Sequence, residues 1–286
     1  MARRPSFRVR RADAPLRGRL VAARDKSITH RAILLGALAD GETRIEAPLA
    51  ASADVARTVA AAERLGASVN RDGDALLVRG PVRRETSPWD LDAGASGTTA
   101  RLLLGVLAGL GAASRLDGDR SLRRRPMARV TRRLAAMGAR FSGAADALPV
   151  ELLPGGALVG VDHELEVASA QVSSACLLAG LFASGTTRVT VPGPCRDHTE
   201  RMFAAFSIPV RRDGRTSAVD GPVAPSPARL RVPVDLSSAL YPAVLALLVP
   251  GSDLLLEEVG VNPTRTGALD VLTRMGADLA EEAPRR

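Results

Sequence analysis

The 286 residues predict an α/β (α+β) fold assembled from repeated helix-and-sheet units of about 70 residues. Three observations carry that expectation: a helical ending that recurs four times, a polar cluster opening an apolar helix ahead of each ending, and short β-branched stretches between them. The endings are RTVAAAERLGA, closing at Ala67, RVTRRLAAMGA at Ala139, HTERMFAAFSI at Ile208 and GALDVLTRMGA at Ala277, spaced by 72, 69 and 69 residues. That period exceeds the common short solenoid repeats, so compact domains are expected rather than an open array.

Four fronts precede the endings: KSITHRAILLGALADG, SGTTARLLLGVLAGLG, SAQVSSACLLAGLFASG and DLSSALYPAVLALLVPG. Apolar residues at helical spacing make each a helix, and a Gly-containing turn stops it. TRIEA from Thr43, TRVTV from Thr187 and DLLLEEV from Asp253 are aliphatic or β-branched and predict strands. A unit therefore reads helix, strand, helix with the repeated ending, then further strand. Ser, Thr and Asp at a front satisfy unpaired N–H groups of the first helical turn, where the macrodipole leaves partial positive charge. One such start is ordinary capping. Several aimed at one cleft would build an anion site largely from backbone.

With 46% hydrophobic and 24% charged residues, and no apolar run long enough to cross a bilayer, the chain reads as globular, neither disordered nor membrane-spanning. Cys176 and Cys195 form neither a disulfide framework nor a metal spacing and are expected to be buried small residues. Trp89 and Tyr241 are expected to pack, although Tyr241, near the crossing between domains, could report closure. The basic N-terminus lacks a signal peptide's apolar stretch, which points to the cytoplasm. A net charge of +8 asks for an anionic partner. Aromatics at 2% leave no stacking platform for nucleic acid, and the arginines are scattered, so small phosphorylated or carboxylated metabolites fit better. The matching expectations are no nucleic-acid partner, no membrane and a monomer.

Lys26 is the one lysine in the chain; every other basic residue apart from histidine is an arginine. A compact ammonium on a flexible stem does work that a planar guanidinium does not. Lys26 and Arg31 stand five apart, about 500° around a helix, so both border one anion only if Lys26 sits in the first turn. Arg101 after SGTT, Arg125 in RRRPM and Arg196 in RDHTER add arginine forks near the fronts, suited to two-point contact with carboxylate or phosphate. Each of these alone reads more readily as a solvated surface residue than as a ligand contact.

DKSITHR, SGTTARLL, LDGDRSLRRRPM, SAQVSSACLLAG, RDHTERM and VNPTRTGALDVL, in that order from Val21 to Leu279, resemble the 5-enolpyruvylshikimate-3-phosphate synthase family, the enolpyruvyl transferases of aromatic amino-acid synthesis. The resemblance implies two domains of three units each, with helix starts converging on the cleft between them. Residues 21–232 would form the complete domain, while 1–20 and 233–286 would belong to the second with one of its three units, the C-terminal third being absent. It also implies transfer of the enolpyruvyl group from phosphoenolpyruvate to the 5-hydroxyl of shikimate 3-phosphate, through a tetrahedral intermediate, with no metal or organic cofactor. Carried over residue by residue, Lys26, Ser27, Arg31, Ser169, Ala170, Gln171 and Arg196 would bind shikimate 3-phosphate, and Lys26, Gly97, Arg125 and Gln171 would bind phosphoenolpyruvate.

Some positions depart from the family pattern. Ala95 replaces an Asn beside the phosphoenolpyruvate pocket, Arg24 a small residue before DKS, and Ser173 a frequent Lys, while Val234 and Leu236 flank Asp235 in a segment usually richer in Gly and Pro. The family's catalytic carboxylates come from the last two units, so no residue of this chain inherits the general acid–base role. An inactive homologue that only binds shikimate 3-phosphate or another small anion is therefore the alternative. The related UDP-N-acetylglucosamine enolpyruvyl transferases carry a catalytic Cys where DGDRSLRRRPM has none. The nucleotidylated-His motif of RNA 3′-phosphate cyclases is not evident around His30, His163 or His198.

Overall fold

The second and third repeats each fold as a strand, a buried helix, a parallel second strand, an outer helix and an antiparallel close. The structure is a computed structural model that describes residues 13–82 and 88–282. Residues 24–232 form one compact unit; those up to Ala23 and those from Pro233 onward form another, whose two ends lie outside the described residues.

β1 (Arg17–Leu20) leads to α1 (Lys26–Leu38), β2 (Glu42–Glu46), α2 (Ala53–Arg64), β3 (Ser68–Asp72) and β4 (Ala75–Arg79). The second repeat holds β5 (Trp89–Asp92), α3 (Gly97–Leu110), β6 (Ser114–Asp117), the short α4 (Arg120–Arg123), α5 (Ala128–Ala136) and β7 (Val150–Leu152). The third holds β8 (Asp162–Glu164), α6 (Ala170–Gly180), β9 (Gly185–Thr190), α7 (His198–Ala205), β10 (Val210–Asp213) and β11 (Thr216–Gly221). β12 (Arg229–Arg231), α8 (Leu236–Leu248), β13 (Asp253–Leu256) and α9 (Gly267–Arg274) follow.

The sheets show where the chain crosses over. β5 runs parallel to β6 around α3, and β8 parallel to β9 around α6, the βαβ connection that sheet twist favours. By that rule β1 should pair with β2 around α1. Instead β2 takes β12 as its parallel partner, with Leu230 opposite Ile45, and β1 pairs parallel with β13, Arg17 opposite Asp253. The two leading strands are exchanged, so each compact unit has its first sheet completed by the other crossing segment.

Inside residues 24–232, α1, α3 and α6 are buried around most of their circumference: residues 29–38 of α1 and 172–180 of α6 are buried without interruption. α3 and α6 run side by side so closely that a Cβ on Gly105 would stand 2.3 Å from the Ala175 carbonyl oxygen. The same close approach recurs against the sheets. A Cβ on Gly36 would meet Thr43 at 3.1 Å and Val78 at 3.2 Å, and one on Gly180 would meet Thr187 at 2.9 Å and Val219 at 2.8 Å. In both repeats the two contacted residues are paired across the sheet. The outer helices bury one stripe each, as Val55, Thr58, Ala61 and Ala62 of α2 do.

All four repeated endings close identically. The N–H of Ala67, Ala139, Ile208 and Ala277 donates to the carbonyl five residues back, at 3.1, 3.0, 2.8 and 3.0 Å. The preceding Gly66, Gly138, Ser207 and Gly276 all have positive φ, the left-handed C-terminal cap. Two packing expectations are corrected. Tyr241 is 81% exposed on α8, and Cys195 is half-buried in the loop before α7, whereas Trp89 and Cys176 are buried. No helix among the described residues is long and apolar enough to cross a membrane.

Candidate functional site

The three buried helices of residues 24–232 begin with caps drawn from their own fronts. Asp25 accepts the Ile28 N–H at 3.0 Å, Ser96 the Thr99 N–H at 3.1 Å and Ser169 the Val172 N–H at 3.5 Å. Each cap satisfies one orphan donor, and the rest of the first turn retains N–H groups with no partner inside the helix.

Around the start of α3 the approach is tight. A Cβ on Gly97 would lie 2.8 Å from Nη1 of Arg125 and 2.9 Å from Nη1 of Arg101, so only a residue without a side chain lets both guanidinium groups close over this backbone. Arg101 donates to Gln171 Oε1 at 2.7 Å, and Gln171 Nε2 donates to Thr98 Oγ1 at 2.9 Å. A donor on one side and an acceptor on the other fix which way the Gln171 amide faces. Arg101 is half-buried, and its pKa is lowered by burial first and then by the like charges of Arg125 and Arg129. Among the described residues no carboxylate is paired with Arg101, and concentrated positive charge of this kind is what an anion would relieve.

Lys26 is the first residue of α1, the position that lets it border an anion shared with Arg31. Its ammonium is ion-paired with Asp54 at 2.6 Å on α2, while the Asp54 carbonyl accepts from Thr99 Oγ1 at 3.3 Å. Arg31 points the other way, into the seam of α1 with α6 and α7. Its Nε donates to Thr199 Oγ1 at 2.7 Å, Nη2 to Ser174 Oγ at 2.7 Å and Nη1 to the Ser27 carbonyl at 3.0 Å. Ser174 in turn donates to the Ala170 carbonyl at the start of α6. Burial lowers the Arg31 pKa to about 10, opposed by the fields of Glu200 and Asp25, so it is charged at neutral pH.

Eight of the nine expected positions thus join in one connected array: Lys26, Ser27 and Arg31 on α1, Ser169, Ala170 and Gln171 at the start of α6, Gly97 and Arg125 around the start of α3. Ser169 takes part as a cap and Ser27 through its carbonyl. Arg196 is exposed and makes no hydrogen bond to the others; its charge acts on Arg31 through space. Thr98, Asp54, Ser174 and Thr199 were missing from the expected positions, and Arg101, expected as an arginine fork near the fronts, had not been assigned to either substrate. Arg101 announced itself four residues after Gly97, one helical turn away, whereas hydroxyls within apolar helix sequences carry no such signal.

Comparisons with known proteins identify the family. Residues 11–285 match the family described as EPSP synthase (3-phosphoshikimate 1-carboxyvinyltransferase). A 3-phosphoshikimate 1-carboxyvinyltransferase of Anaeromyxobacter sp. (strain Fw109-5) is 50% identical over 271 residues, covering 94% of this chain and 63% of the relative. One from Thermus thermophilus is 51% identical over 269 residues, covering 93% and 62%. A solved EPSP synthase from Acinetobacter baumannii superposes with a TM-score of 0.89 at 38% identity, covering 96% of this chain and 63% of that one. The chain thus spans less than two thirds of the length of the relatives it matches. With a family match along nearly all of its length and the same fold at that level of identity, the chain belongs to the EPSP synthase family.

Proposed function

We propose that this protein serves enolpyruvyl transfer from phosphoenolpyruvate to the 5-hydroxyl of shikimate 3-phosphate, and that residues 24–232, read as the complete three-unit domain, supply its anion-binding face. The observation that carries the reading is the array of Gly97, Arg101, Arg125, Gln171 and Arg31 around the starts of three buried helices, where, among the described residues, the guanidinium groups of Arg101 and Arg31 meet neutral partners rather than carboxylates. Gly97 and Arg125, with Arg101 behind them, would take the carboxylate and phosphate of phosphoenolpyruvate. Ser169, the Ala170 backbone, Arg31 and Arg196 would take shikimate 3-phosphate. Gln171, with its amide held from both sides, and Lys26 would face both ligands.

In the reaction, the 5-hydroxyl gives up its proton as its oxygen bonds to C2 of phosphoenolpyruvate, while C3 gains a proton; loss of a C3 proton and departure of phosphate from C2 then restore the double bond. Charge on the phosphate and carboxylate persists throughout, so fixed guanidinium groups and helix starts need not reorganise between steps. A Lys26 ammonium leaving Asp54 for an incoming anion would exchange one opposite charge for another.

Binding without turnover is the second reading, favoured by what the nearby carboxylates already do. Asp25 caps α1, Asp54 pairs with Lys26, and Glu200 accepts from Ser217 Oγ at 3.0 Å in a buried setting. Each of the three is thus already held by a partner. Calorimetric titration with each substrate and a phosphate-release assay with both separate the readings. Saturable binding with sustained release supports transfer, binding with no release supports the second reading, and no binding of either substrate defeats both.

A further inference from the structure

We propose that Ser174 and Thr199 are positioning residues that hold the buried Arg31 guanidinium with uncharged oxygens, so that its charge stays available to an anionic group of the substrate. The inference deepens the shikimate 3-phosphate reading and rests on it. Arg31 is 4% exposed, a burial at which an arginine ordinarily comes with a carboxylate. Among the described residues no carboxylate lies within ion-pair distance of it; its partners are two hydroxyls and a carbonyl.

The hydroxyls stand in for a carboxylate in shape and not in charge. Nε and Nη2 form the side-on fork that usually grips two carboxylate oxygens. Here the fork meets Thr199 Oγ1 and Ser174 Oγ, themselves 2.6 Å apart. Hydrogen accounting fixes the direction of every bond. Arginine has only donors, so both hydroxyl oxygens accept from it; Ser174 gives its hydrogen to the Ala170 carbonyl, and Thr199 therefore gives its own to Ser174. Three of the five guanidinium N–H groups are then used, which leaves one on each Nη nitrogen for an incoming oxyanion.

The nearest carboxylates are otherwise engaged. Asp25 is committed to the α1 cap and Glu200 to Ser217, and both act on Arg31 only through their fields. The exposed Arg196 adds charge of the same sign. A ready-made ion pair would make Arg31 easier to bury and less useful, because an incoming anion would have to compete with a fixed internal one.

The test uses the full chain carrying Thr199→Val, Thr199→Ser or Thr199→Asp, with shikimate 3-phosphate binding measured by calorimetry and folding by thermal melting. Thr199→Val, close in shape but without an acceptor, is expected to weaken binding about tenfold or more, and Thr199→Ser to stay within about threefold of the wild type. Thr199→Asp supplies the missing counter-ion. It is expected to melt no lower than the wild type while losing binding about a hundredfold, a separation that a purely structural role would not produce.

A folded Thr199→Asp or Thr199→Val protein that binds like the wild type overturns the proposal. So does a Thr199→Asp protein that fails to fold, because a charge-paired guanidinium is the easier state to bury. Inorganic phosphate is titrated in parallel. If the wild type binds phosphate and not shikimate 3-phosphate, the substrate reading fails and the variants are judged on phosphate; if it binds neither, both ideas fall.

Discussion

α3 and α8 are built from nearly the same residues and meet opposite fates. Both open with a capped polar start and continue through an aliphatic run, yet α3 buries 12 of its 14 residues while α8 buries Leu236 and Ala239 alone. Leu248 of α8 is 74% exposed and Tyr241 81%, against 0% for Leu103 of α3. What differs is company. α3 lies against α6, with Gly105 pressed on Ala175, whereas the unit holding α8 has only α9 as its other helix among the described residues, and α9 buries none of its own. Hydrophobic sequence makes a helix fit to be buried; sister helices bury it. The contrast is broken most severely by Leu103→Ala, which should cost about 2–5 kcal/mol through lost transfer energy and a cavity. Leu248→Ala should stay within about 0.5 kcal/mol, because its side chain already meets water. Urea melts compare the two directly, with the single tryptophan, Trp89, reporting residues 24–232 and the single tyrosine, Tyr241, reporting the other unit.

The units also differ in how they should answer acid. All three histidines lie within residues 24–232, and burial lowers the His30 pKa from 6.5 to about 4. His30 Nδ1 is 2.7 Å from Thr58 Oγ1, which is in turn 2.7 Å from Thr99 Oγ1, so a neutral ring joins α1, α2 and α3. A folded-state pKa below the unfolded one means that the unfolded chain takes up the proton first. The stability contributed by neutral His30 is whole above about pH 6.5 and is lost progressively toward pH 4, amounting to about 3 kcal/mol at most. Trp89 fluorescence melts should show that slope, and His30→Asn should flatten it. An equal slope in the Tyr241 signal would mean that the acid response does not come from these histidines.

Much of this organisation was legible in the sequence, and the exceptions share a cause. The four endings and the capped fronts are local patterns, and they fold into four matching caps and into helices that start where the polar clusters stand. The exchange of β1 and β12 is not local. Arg17 pairs with Asp253 across most of the chain, and nothing in a four-residue strand names its partner. The exposure of Tyr241 escaped notice because α8 carries the composition of a buried helix, and burial is a property of neighbours. Within the site, Gly97 and Arg125 could be matched as motif positions, but Thr199 could not, because its role depends on α7 meeting α1 at Arg31.

Helix starts sharpen the comparison further. Gly97 opens α3 beneath two guanidinium groups, whereas Gly267 opens α9 with nothing within 4 Å of where a Cβ would stand. Gly97→Ala should press on Arg125 and Arg101 and weaken phosphoenolpyruvate binding about tenfold, near 1.4 kcal/mol, with a smaller change in melting because the contacted atoms are the far ends of flexible side chains. Gly267→Ala should leave binding unchanged. Calorimetry on the two variants checks the pair, and equal affinities would remove Gly97 and the guanidinium groups above it from the proposed phosphoenolpyruvate site.

The smallest effect separates one repeat ending from the other three. Gly66, Gly138 and Gly276 take left-handed backbone without a Cβ to crowd the following carbonyl, while Ser207 holds φ of 58° with one. Its ending nevertheless closes with the shortest of the four bonds, Ile208 to Phe203 at 2.8 Å, so the surrounding packing enforces the turn at a local conformational cost. Ser207→Gly should remove that cost and stabilise residues 24–232 by up to about 1 kcal/mol, partly offset by the greater freedom of glycine in the unfolded chain. Gly138→Ala, which installs a Cβ at the matching turn, should destabilise the same unit by a similar amount. Both changes are read from the Trp89 urea midpoint, and shifts of the same sign in the two variants would show that the left-handed turn is not what distinguishes the third ending.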